Sequence, residues 1–180
     1  RLRLDLATAF GCPFEGKVSI RSLKNIVYAA GQSGIRELVL CDTTGMANPL
    51  MVEKTVKELG TESGNIVFGV HFHNTRGTGI ANILTAVTLG INNIETSVGG
   101  LGGCPFAPGA SGNVATEDIV NMFHDMGIKT GINLNKLLNC SRYLYGLFDN
   151  KLSSHTLIAG TTYSGQKCLE GVKSERNQIG

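Results

Sequence analysis

Two histidines at the end of an apolar stretch are the first residues whose spacing suggests chemistry. His71 and His73 close the segment 66–73, which reads IVFGVHFH. Side chains alternate between the two faces of a β-strand, so a strand would present both imidazoles on one side, within reach of a single metal ion. Paired histidines also occur as hydrogen-bonded core or surface residues, and the pair by itself leaves both interpretations open.

A glycine-rich segment, residues 99–113, carries the second set of candidate groups. It reads GGLGGCPFAPGASGN, with Cys104 near its centre and Asn113 at its end. Each glycine supplies no packing surface and costs backbone entropy, so neither a core strand nor a core helix is expected here. A flexible linker would carry Ser, Lys and Glu in place of the apolar residues and the cysteine. We therefore expect a loop whose backbone geometry matters.

Four strand patterns alternate with helical patterns and must position these residues. Strands are expected at residues 2–9, 37–41, 66–72 and 92–98, where short apolar or β-branched runs occur. Helical periods fill the gaps, with N-caps expected at Ser19, Asn48 and Thr116, and a fifth helix is expected over about 134–148. Strand–helix units that repeat every ~30 residues predict a parallel α/β sheet.

The predicted sheet belongs either to an open α/β fold or to a closed barrel. Asp42, the two histidines and the glycine-rich segment all follow the carboxyl ends of successive strands, where barrel enzymes hold their active sites. No phosphate-binding glycine motif follows the first strand, which disfavours an open nucleotide-binding sheet. A complete TIM (β/α)8 barrel takes ~250 residues, so we predict half a barrel. The predicted domain covers residues 1–152, with 153–180 as a C-terminal tail.

The amino-acid composition limits the kinds of binding partner and the cellular compartment that we expect. The chain has 180 residues, of which 42% are hydrophobic and 17% charged, with a net charge of +2. The weak net charge gives no reason to expect nucleic acid, and no apolar stretch is long enough to suggest a membrane partner. Five cysteines without close spacing predict reduced thiols in a cytosol or organelle matrix. Cys41 and Cys140 are expected in the core.

Four segments in order along the chain resemble the 3-hydroxy-3-methylglutaryl-CoA (HMG-CoA) lyases, a family within the DRE-TIM metallolyase superfamily. They are FGCPFEG at 10–16, DTTG at 42–45, HFH at 71–73 and the stretch 99–118. The core GGLGGCPF is specific to the lyase branch. The resemblance implies retro-Claisen cleavage of HMG-CoA to acetyl-CoA and acetoacetate, an acyl-CoA substrate, and a role in leucine degradation and ketone body metabolism.

The resemblance also implies a metal centre. It makes His71, His73 and Asn113 ligands of Mg²⁺ or Mn²⁺, metals suited to imidazole and amide oxygen ligands. The family's remaining ligand, an Asp in an Arg-Asp-Gly motif on the first barrel strand, has no counterpart here. We therefore interpret the four units as the C-terminal half of a barrel, about four βα units plus C-terminal helices. A zinc hydrolase in which Cys104 binds the metal is the alternative.

The same resemblance assigns catalytic and substrate-binding roles. Cys104 is the implied catalytic acid, and either Asp42 or His71 is expected to handle the proton of the substrate hydroxyl. Asp42 resembles the family's acidic residue beside the metal site, and a turn residue is the alternative for it. Thr43 and Arg76 are the implied substrate-binding residues. Arg76 could pair with a carboxylate or phosphate, or could be a solvated residue at a helix start.

Several alternatives stay open at this point. Asn74 and Arg76 stand where the family more often has Asp and Tyr, so citramalyl-CoA or another 3-hydroxyacyl-CoA is a second candidate substrate. A non-catalytic half-barrel is a candidate from a different class, since its unpaired sheet edges would favour association. We expect a homo-oligomer, a dimer or higher, in a bacterial cytoplasm or, in a eukaryote, the mitochondrial matrix.

Overall fold

The computed structural model describes residues 2–61, 64–103, 112–149 and 151–162. Within these ranges strands and helices alternate as far as the fourth strand, and helices follow. The elements are β1 (Arg3–Leu6), α1 (Ile20–Gln32), β2 (Glu37–Asp42), α2 (Pro49–Gly60), β3 (Val67–Phe72), α3 (Gly79–Thr88), β4 (Asn93–Glu95), a 3-10 turn (Val98–Gly100), α4 (Thr116–Asp125), α5 (Leu134–Leu147) and α6 (His155–Ala159).

The four strands form one parallel sheet in the order β1-β2-β3-β4. The predicted α/β fold with a parallel sheet is thus confirmed, and each strand lies in or overlaps its predicted segment. β1 is shorter than predicted, because the chain turns after Leu6 and Thr8 makes only an isolated antiparallel bridge to Asp42.

Side-chain caps explain where the first helices begin. The side chains of Ser19 and Asn48 accept hydrogen bonds from the backbone N–H three residues further on, at 3.1 and 3.0 Å, as predicted. Such caps satisfy N–H groups that have no partner within the helix. At α4 the prediction is wrong, because Ala115 is the N-cap and Thr116 is already helical. The Thr116 hydroxyl instead hydrogen-bonds that of Thr96 at 2.9 Å.

The two faces of the sheet differ in polarity. Register partners point to the same face, as do residues two apart within a strand. One face is apolar and carries the fully buried side chains Leu38, Leu40, Val70 and Phe72 at its centre. Burial of each of these side chains stabilises the fold by about 1.5–3 kcal/mol. The other face carries charged or imidazole groups, namely Arg3, Asp5, His71 and Glu95.

The chain divides into two compact units. The first comprises Arg1–Glu95 with Gly103–Asn113 and contains the sheet with α1 to α3. The second comprises Thr96–Gly102 with Val114–Gly180 and contains α4, α5 and α6. In the second unit, the fully buried Glu117 carboxylate accepts a hydrogen bond from the backbone N–H of Gly99, with both oxygens at 3.0 Å. The boundary at residue 152 stays a prediction.

A short helix, α6, forms where the sequence has no helical period. Its start is held by the buried carboxylate of Asp118, which accepts hydrogen bonds from the Ser154 hydroxyl at 3.0 Å and from the backbone N–H groups of His155 and Thr156 at 2.9 and 2.7 Å. Ser154 also caps the helix locally, because its hydroxyl accepts a hydrogen bond from the backbone N–H of Leu157 at 3.1 Å. A cap without a helical period did not predict the helix, and the support from Asp118 comes from a residue distant in sequence.

Two further expectations from the sequence have different outcomes. Cys41 is buried on β2 as predicted, whereas Cys140 is exposed. The prediction for Cys140 is wrong because α5 buries a different side, marked by Leu138 and Ser141. In the described part of the chain, no helix combines the length and the apolar character needed to cross a membrane.

Candidate active site

The two histidines lie at the carboxyl end of β3, as their spacing predicts. His71 is the fifth residue of the strand and His73 follows its last residue. Their ring centroids are 5.4 Å apart, with the rings tilted by 39°. His71 keeps about a quarter of its side chain exposed, while His73 is 4% exposed. One imidazole therefore faces accessible space and the other is enclosed.

Asn113 lies beside the histidines although it is distant in sequence. It forms an isolated antiparallel bridge with His73, and the neighbouring backbone N–H of Asn74 donates to the carbonyl of Gly112 at 2.9 Å. The end of the glycine-rich segment is thus hydrogen-bonded to the residues that follow β3. The structure brings His71, His73 and Asn113 together.

This group has the chemistry of a cation site. His73 Nδ1 is buried without a hydrogen-bond partner among the described residues, a costly state for a polar atom. Burial lowers the pKa of His73, and the neighbouring His71 lowers it further, so the ring is neutral and can act as a ligand. Two imidazoles and an amide oxygen fit Mn²⁺ or Mg²⁺ when further oxygen ligands complete the shell.

Among the described residues, we identify only these three as candidate metal ligands. No group of three or more His, Cys, Asp or Glu side chains that could hold a metal ion occurs there. Cys104, the predicted catalytic thiol, lies outside the described residues, so its role stays a prediction.

Asp42 is next to His73 through its backbone, because its carbonyl accepts a hydrogen bond from the His73 N–H at 3.3 Å, but its side chain is bound into a turn. Its register partner on β3 is Phe72, so its side chain lies on the apolar face of the sheet, opposite to that of His71. The two carboxylate oxygens accept hydrogen bonds from the backbone N–H groups of Met46 at 2.8 Å and Ala47 at 2.9 Å. Burial raises the pKa of Asp42, while these hydrogen bonds act in the opposite direction.

Of the two predicted substrate-binding residues, Thr43 lies in this turn and Arg76 contacts it. The Thr43 hydroxyl donates to the carbonyl of Ala7. The Arg76 guanidinium donates from one nitrogen to the carbonyls of Thr44 and Gly45, both at 2.9 Å. Arg76 therefore joins the loop after β3 to the turn after β2, a role that neither solvation nor substrate contact anticipates.

Sequence reasoning missed Glu95 and its partner Arg3. The Glu95 carboxylate contacts His71, with Oε2 and Nδ1 3.2 Å apart, and forms an ion pair with Arg3. The signal was the strict alternation of charged and apolar residues in the first strand, because it indicates a polar sheet face. Nothing in the sequence, however, linked that face to a charge on the fourth strand.

The sheet is parallel, and the candidate ligands lie at the carboxyl ends of its strands. Both features are typical of α/β enzymes, whose active sites lie at that edge of the sheet. Within this class the chain belongs to the HMGL-like family, which it matches over residues 3–144. The resemblance to HMG-CoA lyases is thereby confirmed, and the chain is a homologue of these lyases.

Three relatives illustrate the similarity. The chain is 45% identical to the hydroxymethylglutaryl-CoA lyase YngG of Bacillus subtilis over 86% of its length and 52% of that protein. It is 40% identical to the (R)-citramalyl-CoA lyase of Chloroflexus aurantiacus over 88% of its length and 50% of that protein. An HMG-CoA lyase structure from Acinetobacter baumannii, in complex with coenzyme A and 3-methylmalate, matches with 45% identity and a TM-score of 0.84, covering 91% of this chain and 54% of that one. The chain spans about half the length of the curated relatives it matches.

Proposed function

We propose that this chain contributes the metal-binding edge of a carbon–carbon lyase that cleaves HMG-CoA to acetyl-CoA and acetoacetate. The observation that carries the proposal is the proximity of His71 and His73 to each other and of His73 to Asn113 at the carboxyl end of β3. The names of the relatives, which act on acyl-CoA thioesters, support the substrate class.

The metal we propose is Mn²⁺ or Mg²⁺, held by His71, His73 and Asn113. When bound, such an ion would polarise the hydroxyl and carbonyl oxygens of a substrate. The buried position of His73 keeps its ring neutral, and the bridge to Asn113 ties the end of the glycine-rich segment to the same place.

Proton transfer completes the proposed reaction. The substrate hydroxyl loses its proton to a base, the C–C bond breaks as the hydroxyl carbon becomes the ketone of acetoacetate, and the acetyl-CoA enolate takes a proton from the Cys104 thiol. His71 and Asp42 are the two candidate bases. As a metal ligand through Nε2, His71 has no lone pair left to accept a proton, so His71 is the base only in a site where His73 and Asn113 hold the metal without it. For Asp42, both carboxylate oxygens already accept backbone hydrogen bonds on the other face of the sheet.

Citramalyl-CoA is the second candidate substrate. A citramalyl-CoA lyase is 40% identical to this chain, which is close to the identity of the HMG-CoA lyases. Both substrates carry a tertiary 3-hydroxyl group next to a carboxylate arm, so the same proton transfers serve for both.

The finer architecture is also a proposal. We propose that residues 1–152 are the C-terminal half of a (β/α)8 barrel and that 153–180 form a tail. Support comes from four parallel strands and from coverage of about half of each relative. β1 and β4 are the edges of the described sheet and would pair with the other half, or in a non-catalytic protein with another copy. A homo-oligomer in a bacterial cytoplasm or mitochondrial matrix remains our expectation.

The test is acetyl-CoA release from HMG-CoA and from citramalyl-CoA, with Mn²⁺, Mg²⁺ or a chelator. It uses the protein that contains this chain together with any segment that precedes Arg1. We expect metal-dependent release that His73→Ala abolishes and that His124→Ala, which removes an exposed imidazole on α4, leaves unchanged. Release that a chelator does not affect, or cleavage of neither substrate, would contradict the proposal.

A further inference from the structure

Glu95 contacts a candidate ligand directly. Its Oε2 lies 3.2 Å from Nδ1 of His71, and the two residues are register partners on adjacent strands. Both side chains are partly shielded, with exposed fractions of 31% and 25%. A carboxylate can only accept a hydrogen bond, so in this contact Nδ1 of His71 carries the proton.

The other oxygen of Glu95 is held as well. Its Oε1 forms an ion pair with the Arg3 guanidinium. Arg3 in turn donates from Nε and from its second terminal nitrogen to the two carboxylate oxygens of Asp5, at 2.8 and 3.0 Å. All three guanidinium nitrogens are therefore engaged, and the Glu95 carboxylate is constrained from both ends.

The ion pair between Arg3 and Glu95 shows that the sheet is curved. Arg3 lies on β1 and Glu95 on β4, three strand spacings across the sheet and four residues further along the register, or roughly 19 Å on a flat sheet. Direct contact between the two side chains requires the charged face to be concave. The series Asp5, Arg3, Glu95 and His71 thus crosses the concave face and ends at the candidate metal site.

We propose that Glu95 is a positioning residue that holds His71 in its Nδ1–H form, with Arg3 orienting the Glu95 carboxylate. In that form Nε2 keeps its lone pair, which His71 needs either as a metal ligand or, in a site where it does not bind the metal, as a general base. Carboxylates that hydrogen-bond the second nitrogen of a ligating histidine fix the tautomer and the ring orientation. This inference rests on the proposed role of His71, although its first test does not depend on lyase activity.

The first test reads the tautomer of His71 by long-range ¹H–¹⁵N NMR of the labelled chain, at a pH where the imidazole is neutral. The chain has four histidines, so single His124 and His155 substitutions help to assign the signals. We expect the Nδ1–H form in the unmodified chain and a shift toward Nε2–H, the form that free histidine favours, in Glu95→Ala. Glu53→Ala, which removes an exposed carboxylate from α2, should change nothing. An Nε2–H ring in the unmodified chain, or no shift in Glu95→Ala, would overturn the inference.

The second test measures Mn²⁺ affinity by electron paramagnetic resonance. Loss of such a hydrogen-bonding partner weakens metal affinity by about 10–100-fold, and we expect this loss in Glu95→Ala. A smaller loss is expected in Arg3→Gln, which keeps the Glu95 carboxylate but releases one end of it. Glu95→Asp keeps the charge and should recover part of the affinity. Circular dichroism of each variant separates these effects from unfolding.

The outcomes distinguish this inference from the proposed function. Unchanged Mn²⁺ affinity in folded Glu95→Ala overturns the positioning role, whatever the lyase assay gives. A response of both tautomer and affinity in a protein that cleaves neither thioester supports the positioning role and removes the lyase proposal instead.

Discussion

Replacing Asp42 with asparagine separates a turn-forming role from a proton-transfer role. The two carboxylate oxygens accept hydrogen bonds from Met46 at 2.8 Å and Ala47 at 2.9 Å, and the residue is 1% exposed. Asparagine keeps one acceptor but turns an NH₂ group toward the other backbone N–H, which then has no acceptor. Losing a hydrogen bond to a charged group costs about 1.5–3 kcal/mol. Relief of the buried charge offsets part of this cost, because burial raises the pKa of Asp42.

We therefore expect Asp42→Asn to lower the free energy of unfolding by about 1–2 kcal/mol, equivalent to a fall in Tm of roughly 2–8 °C. Urea unfolding followed by circular dichroism measures the change, and Asp149→Asn at an exposed position is the charge-matched control. We expect the control to stay within about 0.5 kcal/mol of the unmodified chain. Unchanged stability of Asp42→Asn, together with a ~10²–10⁴-fold loss of acetyl-CoA release, would refute the turn-forming role and make Asp42 the base.

Three further results are expected. Gly45→Ala should cost about 2–4 kcal/mol in urea unfolding, because its φ is 63° and a new Cβ would lie 2.7 Å from Cβ of Thr75. Gly34→Ala, with a φ of 80° in open space, should cost only about 1–2 kcal/mol, and equal losses would contradict the contact with Thr75. Cys104→Ala should reduce kcat by ~10²–10⁴-fold without affecting Mn²⁺ binding, and joint loss of both would make the thiol a ligand. Because burial raises the pKa of Asp42, the folded chain binds that proton more tightly than the unfolded chain, so the contribution of Asp42 to stability falls as pH rises from its unfolded to its folded pKa. This slope should disappear from the pH profile of urea unfolding in Asp42→Asn, and its persistence there would assign it to another group.

Local patterns predicted the elements and failed where support came from elsewhere in the chain. Ser19 and Asn48 cap their helices as predicted, because an N-cap depends only on the next few residues. Thr116 was predicted as a cap by the same rule, but its hydroxyl is used by Thr96. α6 was not predicted although Ser154 caps it locally, because its five residues show no helical period and its first turn is also held by the carboxylate of Asp118.

The candidate site could be predicted in part. The alternation of a β-strand places His71 and His73 on one side, and the glycine-rich motif with the family resemblance pointed to Asn113 as a third ligand. The proximity of Asn113 to His73 agrees with that expectation. Asp42 was expected near the histidines because it ends a neighbouring strand. Its register opposite Phe72 turns the carboxylate to the other face, a difference of one residue that no strand pattern specifies.

The sequence by itself determined the family, the parallel α/β order of the strands and the identity of the candidate ligands. These features depend on motifs and on short periodic patterns, which are properties of neighbouring residues. Only the tertiary structure decided that Glu95 contacts His71, that Arg3 forms an ion pair with Glu95 across the sheet, and that Arg76 hydrogen-bonds the turn after β2. Such contacts join residues from different strands and loops, so they depend on register and curvature, which the packing of the whole sheet sets.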